Sequence, residues 1–132
     1  MRFDSISKNI LNNLRRCLKK QSNRSSVNYI QMNDMIRDNS KIILLDVRSV
    51  QEYNEGHLNG AINIPLSELK INAIKMLNKN DIIIAYCQMG KRSKKAINVL
   101  KLLGYNNVYT LEGGLDAINL WRKRFFPSII II

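Results

Sequence analysis

The sequence predicts an α/β domain built on a mostly parallel five-stranded sheet with helices on both faces. Three observations carry that expectation. Residues 42–45 and 81–86 are apolar almost without interruption, the mark of strands covered on both sides. The stretches that follow them repeat apolar residues at helical spacing. Glycine or proline stands where one pattern gives way to the next. With 132 residues, the chain can build one core and is too short for two.

Residues 1–26 differ from the rest. Phe3, Ile6, Ile10, Leu14 and Cys17 with Leu18 recur at helical spacing, while Lys8, Arg15, Arg16, Lys19 and Lys20 occupy the other faces. Asp4 is the only acid there. Three readings compete: an amphipathic helix on the domain or on an anionic membrane, a mitochondrial targeting peptide, or a loosely docked extension. A basic helical extension is preferred, and Lys8, Arg15 and Arg16 break any secretory apolar core. The domain itself is expected over residues 27–122 and an apolar tail over 123–132.

Within the domain, residues 27–30 read as a first strand, and Asn33 as the cap of a short helix through Arg37. Strand 42–45 follows. Ser49 caps a helical turn that Gly56 ends. Residues 61–64 form a strand stopped by Pro65. Ser67 opens a helix with Leu69, Ala73, Ile74 and Leu77 on its apolar face. Strand 81–86 comes next. Ala96, Val99, Leu100 and Leu103 then stripe a helix that Gly104 stops. A strand at 107–110 and a helix over 114–121 complete the domain.

Composition narrows the function. No run approaches the ~18 apolar residues of a membrane span. Two cysteines make no disulfide framework, and one histidine leaves no metal-ligand spacing, so no metal site is expected. The formal net charge of +11 reads as a solvated basic surface rather than specific nucleic-acid recognition, because no recognised motif or aromatic platform accompanies it. The chain is rich in Ile, Asn and Lys throughout, which weakens any argument from one such residue.

The chemistry concentrates at Cys87-Gln88-Met89-Gly90-Lys91-Arg92-Ser93, where a strand, a tight loop and a helix start meet. Such a loop turns N–H groups inward, and the helix adds the positive end of its dipole. With Lys91 and Arg92 nearby, Cys87 is expected to be a thiolate at neutral pH. Gly90 lets the loop bend, and Gln88 and Met89 line its mouth. Ligands in open α/β sheets bind beyond the carboxyl ends of the strands, so Asp46 and Arg48 fall on the same edge as Cys87. A buried, inert cysteine is the bland alternative; it would need no Gly-Lys-Arg loop after it.

Cys-x-x-Gly-x-Arg-Ser after a buried strand resembles the active loop of the rhodanese (thiosulfate sulfurtransferase) family. So do residues 44–48, the Glu52-Tyr53-x-x-Gly56-His57-Leu58-x-Gly60-Ala61 segment, and Leu111-Glu112-Gly113-Gly114, all in the family's order. The resemblance implies a three-layer α/β/α fold and a reaction without a cofactor. A small anionic sulfur donor such as thiosulfate passes its outer sulfur to Cys87, and a thiol, cyanide or a protein acceptor removes it. Lys91 would attract the donor, and Arg92 would hold either the loop or the donor. Asp46 and Arg48 are expected to pin loops, His57 to be a turn residue rather than a base for Cys87, and Gly113 and Gly114 to permit a tight helix start. Ile118 stands where many members carry Trp, with Trp121 three positions later.

Two other functions compete. One is a Cdc25-like phosphatase or arsenate reductase, but such phosphatases carry one more residue in the loop than the four between Cys87 and Arg92 here. The other is a persulfide relay or a partner-binding module. The free thiol suits a reducing, cytoplasmic setting, or a mitochondrial one if residues 1–26 are a targeting peptide.

Overall fold

The computed structural model describes residues 8, 9, 12, 25–39 and 41–125. Lys8, Asn9 and Asn12 have helical backbone; the remainder of the expected N-terminal helix, with Cys17, and the tail from residue 126 lie outside the described residues. In chain order the elements are β1 (Ser26–Val27), α1 (Tyr29–Asp38), β2 (Ile43–Asp46), α2 (Val50–Glu55), β3 (Ile62–Asn63), a 3₁₀ turn (Leu66–Glu68), α3 (Leu69–Met76), β4 (Ile83–Tyr86), α4 (Lys91–Leu102), β5 (Val108–Leu111) and α5 (Gly114–Phe125). The five strands form one parallel sheet in the order β1-β5-β4-β2-β3.

Two cores sandwich the sheet. On one face Leu45, Ile83 and Ala85 pack against Leu69 and Ala73 of α3 and Ala96, Ile97 and Leu100 of α4. On the other, Leu44, Ile84 and Tyr86 pack with Met32 of α1 and Ile118 of α5. Strand alternation sets this division: Ile83, Ala85 and Cys87 face one side, Ile84 and Tyr86 the other. Register places Asp46 beside Tyr86, so β2 and β4 end level and their loops share one edge.

Several sequence expectations give way here. The first strand is only Ser26–Val27, and α1 starts directly after it. Its cap is Asn28, not Asn33: Asn28 Oδ1 accepts from Gln31 N–H at 2.9 Å, and Gln31 Oε1 accepts from Asn28 N–H at 2.9 Å. Ser49 does cap α2, with Glu52 completing its capping box. Ser67 caps nothing, because the 3₁₀ turn after Pro65 encloses it and α3 begins beyond Glu68. Ile74 is 61% exposed, since Leu69, Ala73 and Leu77 alone point into the core. Helix α5 runs to Phe125, so Lys123, Arg124 and Phe125 belong to it rather than to a tail. Ile118 is buried, and Trp121 packs its ring against Tyr29 and Phe125 instead.

Removing the Asn28 cap leaves a first-turn N–H of α1 without its side-chain acceptor. Asn28→Ala is expected to destabilise the domain by about 1 kcal/mol, read from the urea unfolding midpoint, whereas Asn33→Ala should leave it within about 0.5 kcal/mol.

Candidate functional site

The candidate site is the loop between β4 and α4, and its shape follows from what its carbonyls do. The Cys87 and Gln88 carbonyls accept from Leu115 and Asp116 N–H, at 3.1 and 3.0 Å, at the start of α5. With those oxygens turned toward α5, the following amides turn back on the sulfur. Gly90 N–H donates to Cys87 Sγ at 3.1 Å and Ser93 N–H at 3.4 Å. Two glycines permit the arrangement. Gly90 begins α4 with φ 94°. A Cβ on Gly114 (φ 59°) would stand 2.3 Å from the Cys87 oxygen and 2.6 Å from the Gln88 oxygen.

The Ser93 hydroxyl completes the cradle, 3.6 Å from Sγ. Burial pushes the Cys87 thiol up, but hydrogen bonds from the Ser93 side chain and from the Ser93, Gly90 and Arg92 amides outweigh it and hold the thiol below its ordinary range. Hydrogen bonding thus carries the part that the sequence reading gave to the loop amides, beside the helix dipole, Lys91 and Arg92. Lys91 is exposed at the first turn of α4. Arg92 is committed elsewhere: its two terminal nitrogens donate to Glu52 Oε1 and Oε2 at 2.6 and 3.0 Å. That fork ties α4 to α2, and of Arg92's two expected roles the geometry favours holding the loop.

Asp46 and Arg48 form a buried pair. Arg48 Nη2 donates to Asp46 Oδ2 at 2.7 Å and to the Gly56 carbonyl at 2.6 Å. Burial disfavours the Arg48 charge, yet the Asp46 carboxylate more than offsets this and raises the Arg48 pKa. Arg48 Nη1 also reaches Gln88 Oε1 at 3.4 Å, and Gln88 Nε2 donates to Asp116 Oδ1 at 2.6 Å. Gln88 therefore straps the loop between the β2 edge and α5. Met89 is 59% exposed on the loop. His57 donates from Nδ1 to the Tyr53 carbonyl at 2.8 Å and stacks on the Tyr53 ring, and it is not a hydrogen-bond partner of Cys87.

A cleft of about 270 Å³ opens beside the loop, lined by Arg48, Glu52, His57, Gln88, Asn119 and Arg122 among others. Cys87 itself is only 1% exposed and does not line the cleft. No group of metal-ligating side chains occurs among the described residues. Sequence reasoning passed over Asp116 and Thr110, and gave Glu52 no role beyond its motif. Glu52 alone carried a local signal, as the third residue after the Ser49 cap.

Fold and site together define an α/β domain with a parallel sheet, whose one described cysteine accepts from two main-chain amides in the loop between a central strand and a helix. The chain matches the Rhodanese-like domain family over residues 29–120, and it belongs to that family of sulfurtransferases. It is 41% identical over 75 residues to the thiosulfate sulfurtransferase PspE of Escherichia coli, covering 56% of this chain and 71% of PspE. It is 38% identical over 86 residues to a probable molybdopterin-synthase adenylyltransferase of Porphyra purpurea, covering 64% of this chain but only 22% of that protein. The human single-domain sulfurtransferase TSTD1 superposes with a TM-score of 0.63 at 27% identity, over 73% of this chain and 96% of the human one. No helix among the described residues is long and apolar enough to cross a membrane.

The Arg92 guanidinium holds the Glu52 carboxyl down to about 2, below its unfolded value of about 4.3. A depressed folded pKa stabilises above the unfolded value and loses that contribution as pH falls through the folded one. The stability difference between the wild type and Glu52→Gln is therefore expected to hold steady above about pH 4.3 and to shrink toward pH 2. Urea unfolding at a series of pH values measures it.

Proposed function

We propose that this chain moves a sulfane sulfur through a persulfide on Cys87. In the first half-reaction the Cys87 thiolate attacks the outer sulfur of a donor such as thiosulfate. A bond forms from Sγ to that sulfur, the donor's S–S bond breaks, and sulfite leaves with the electron pair. In the second, a thiolate or cyanide attacks the outer sulfur of the persulfide. The Cys87–sulfur bond breaks, and the thiolate returns. Each step exchanges one anionic nucleophile for one anionic leaving group at sulfur and balances without a metal or an organic cofactor.

The observation that carries this reading is the pair of amides at 3.1 and 3.4 Å from Sγ. They favour a sulfur anion in a buried place that would otherwise penalise it. Gln88 and Met89 frame the approach, and Gly90 provides the bend. Lys91, exposed beside the loop, attracts an anionic donor, and the +11 formal charge of the chain works in the same direction. Asp46 and Arg48 support the loop from the neighbouring strand edge through Gln88. The likeness to a thiosulfate sulfurtransferase supports thiosulfate as donor.

The phosphatase alternative loses support from Arg92. A phosphate-gripping loop needs that guanidinium free, and here Glu52 occupies both of its terminal nitrogens. Relay to a protein thiol is a second acceptor reading, favoured by the apolar surface that exposed Met89 presents on the loop. The thiol chemistry suits a reducing compartment such as the cytoplasm.

Intact-protein mass spectrometry after thiosulfate treatment is the direct test. The protein is expected to gain one sulfur atom, to lose it on adding cyanide, and to gain none as Cys87→Ser. An adduct that survives in Cys87→Ser, or higher turnover on an aryl phosphate than on thiosulfate, would overturn the reading.

A further inference from the structure

The Ser93 hydroxyl sits at a junction that the loop alone does not explain. Its Oγ lies 3.6 Å from Cys87 Sγ, 3.2 Å from the Gly90 carbonyl oxygen and 2.6 Å from Thr110 Oγ1. Cys87, Ser93 and Thr110 are all at most 2% exposed. A hydroxyl has one proton, so Ser93 cannot donate along all three directions at once. While Cys87 is a thiol, its S–H donates to Ser93 Oγ, and Ser93 donates to the Gly90 carbonyl. Once Cys87 is a thiolate it can only accept. Ser93 can then turn its proton to the sulfur, and its oxygen is open to a donor of its own. In this buried setting Thr110 Oγ1 is the hydroxyl within reach.

We propose that Thr110 is a positioning residue for the sulfur anion: its hydroxyl donates to Ser93 Oγ and so orients the Ser93 proton toward Cys87 Sγ. This rests on the reading of Cys87 as the working thiolate. The position supports it independently. Thr110 pairs in register with Ala85 on β4, on a face otherwise lined by Ala85, Cys87 and Val108. Valine has the same shape and would fill the same space, so packing does not call for a hydroxyl there. A chain of two hydroxyls ending on an anion is also stronger than its separate links, because each bond polarises the next.

The charged groups around the loop are held by other partners. Arg92 is forked onto Glu52, Arg48 onto Asp46, and Asp116 holds Gln88. Tyr86 lies on the opposite sheet face, where its hydroxyl accepts from Leu58 N–H, and Lys91 is exposed. None of them hydrogen-bonds to Thr110, so a substitution at Thr110 isolates the hydroxyl chain.

The test is the pH profile of iodoacetamide alkylation, followed on the Cys87 peptide of the full chain, for the wild type, Thr110→Val and Thr110→Ser. Loss of the donor is expected to raise the Thr110→Val midpoint by about one pH unit, which slows alkylation roughly tenfold below the midpoint and leaves the high-pH plateau unchanged. Thr110→Ser is expected to restore the wild-type midpoint. An unchanged midpoint in folded Thr110→Val, or a Thr110→Ser midpoint raised as far as that of Val, would overturn the assignment. Should Thr110→Val fail to fold, Thr110→Ala repeats the comparison with less bulk. Failure of both apolar variants, or of Thr110→Ser, would also overturn it by assigning Thr110 to stability. Alkylation needs no sulfur donor, so a Thr110→Val midpoint that rises as expected, in a protein whose wild type takes no sulfur from thiosulfate, would count against the proposed function alone.

Discussion

Two main-chain N–H groups aimed at one sulfur atom are the constraint on which the rest of the molecule depends. Gly90 and Ser93 can point their amides at Cys87 Sγ only because the Cys87 and Gln88 carbonyls face the other way, into the first turn of α5. That turn approaches so closely that nothing larger than glycine fits at Gly114. The last helix is therefore part of the sulfur cradle, although none of its side chains reaches Cys87. A loop held by side chains alone would lose entropy each time it ordered; here the backbone is fixed once, on folding.

Electrostatics around the cradle divide into two kinds. The charges close to the loop are paired: Arg48 with Asp46, Arg92 with Glu52. These pairs brace the loop against β2 and α2 and leave little free charge beside the sulfur. The neutral donors, the Gly90, Arg92 and Ser93 amides and the Ser93 hydroxyl, favour a sulfur anion against burial. Lys91 stands exposed beside the loop, at the first turn of α4. Cys87 is 1% exposed, and of the loop it is Gln88 that lines the neighbouring cleft of about 270 Å³.

Much of this was legible in the chain. Uninterrupted apolar runs reveal strands covered on both faces, and the alternation of strand and helix gives the sheet its parallel order. The Cys87 loop, the Ser49 cap and the stop at Gly104 are local signals, and local signals survive folding. What was not legible depended on tertiary context. Asn28 and Gln31 spell a capping box, yet the β-prone residues Val27, Tyr29 and Ile30 obscured it. Ile74 lies one residue beyond the buried face of a short helix, and in an isoleucine-rich chain its type says little about its burial. Thr110 reads as an ordinary strand residue until β5 is laid beside β4 and its hydroxyl meets that of Ser93. Asp116 gains its role only when α5 closes on the loop.

The measurement that bears most directly on the sulfur cradle is the amide proton shift of Gly90 and Ser93 through a pH titration by nuclear magnetic resonance. Both protons are expected to move downfield together as Cys87 ionises, with one shared midpoint below the ~8.5 of a free thiol. If both stayed fixed while Cys87 lost its proton, or if the shared midpoint fell at or above the free-thiol value, the amides would not be holding the sulfur anion and the account would fail.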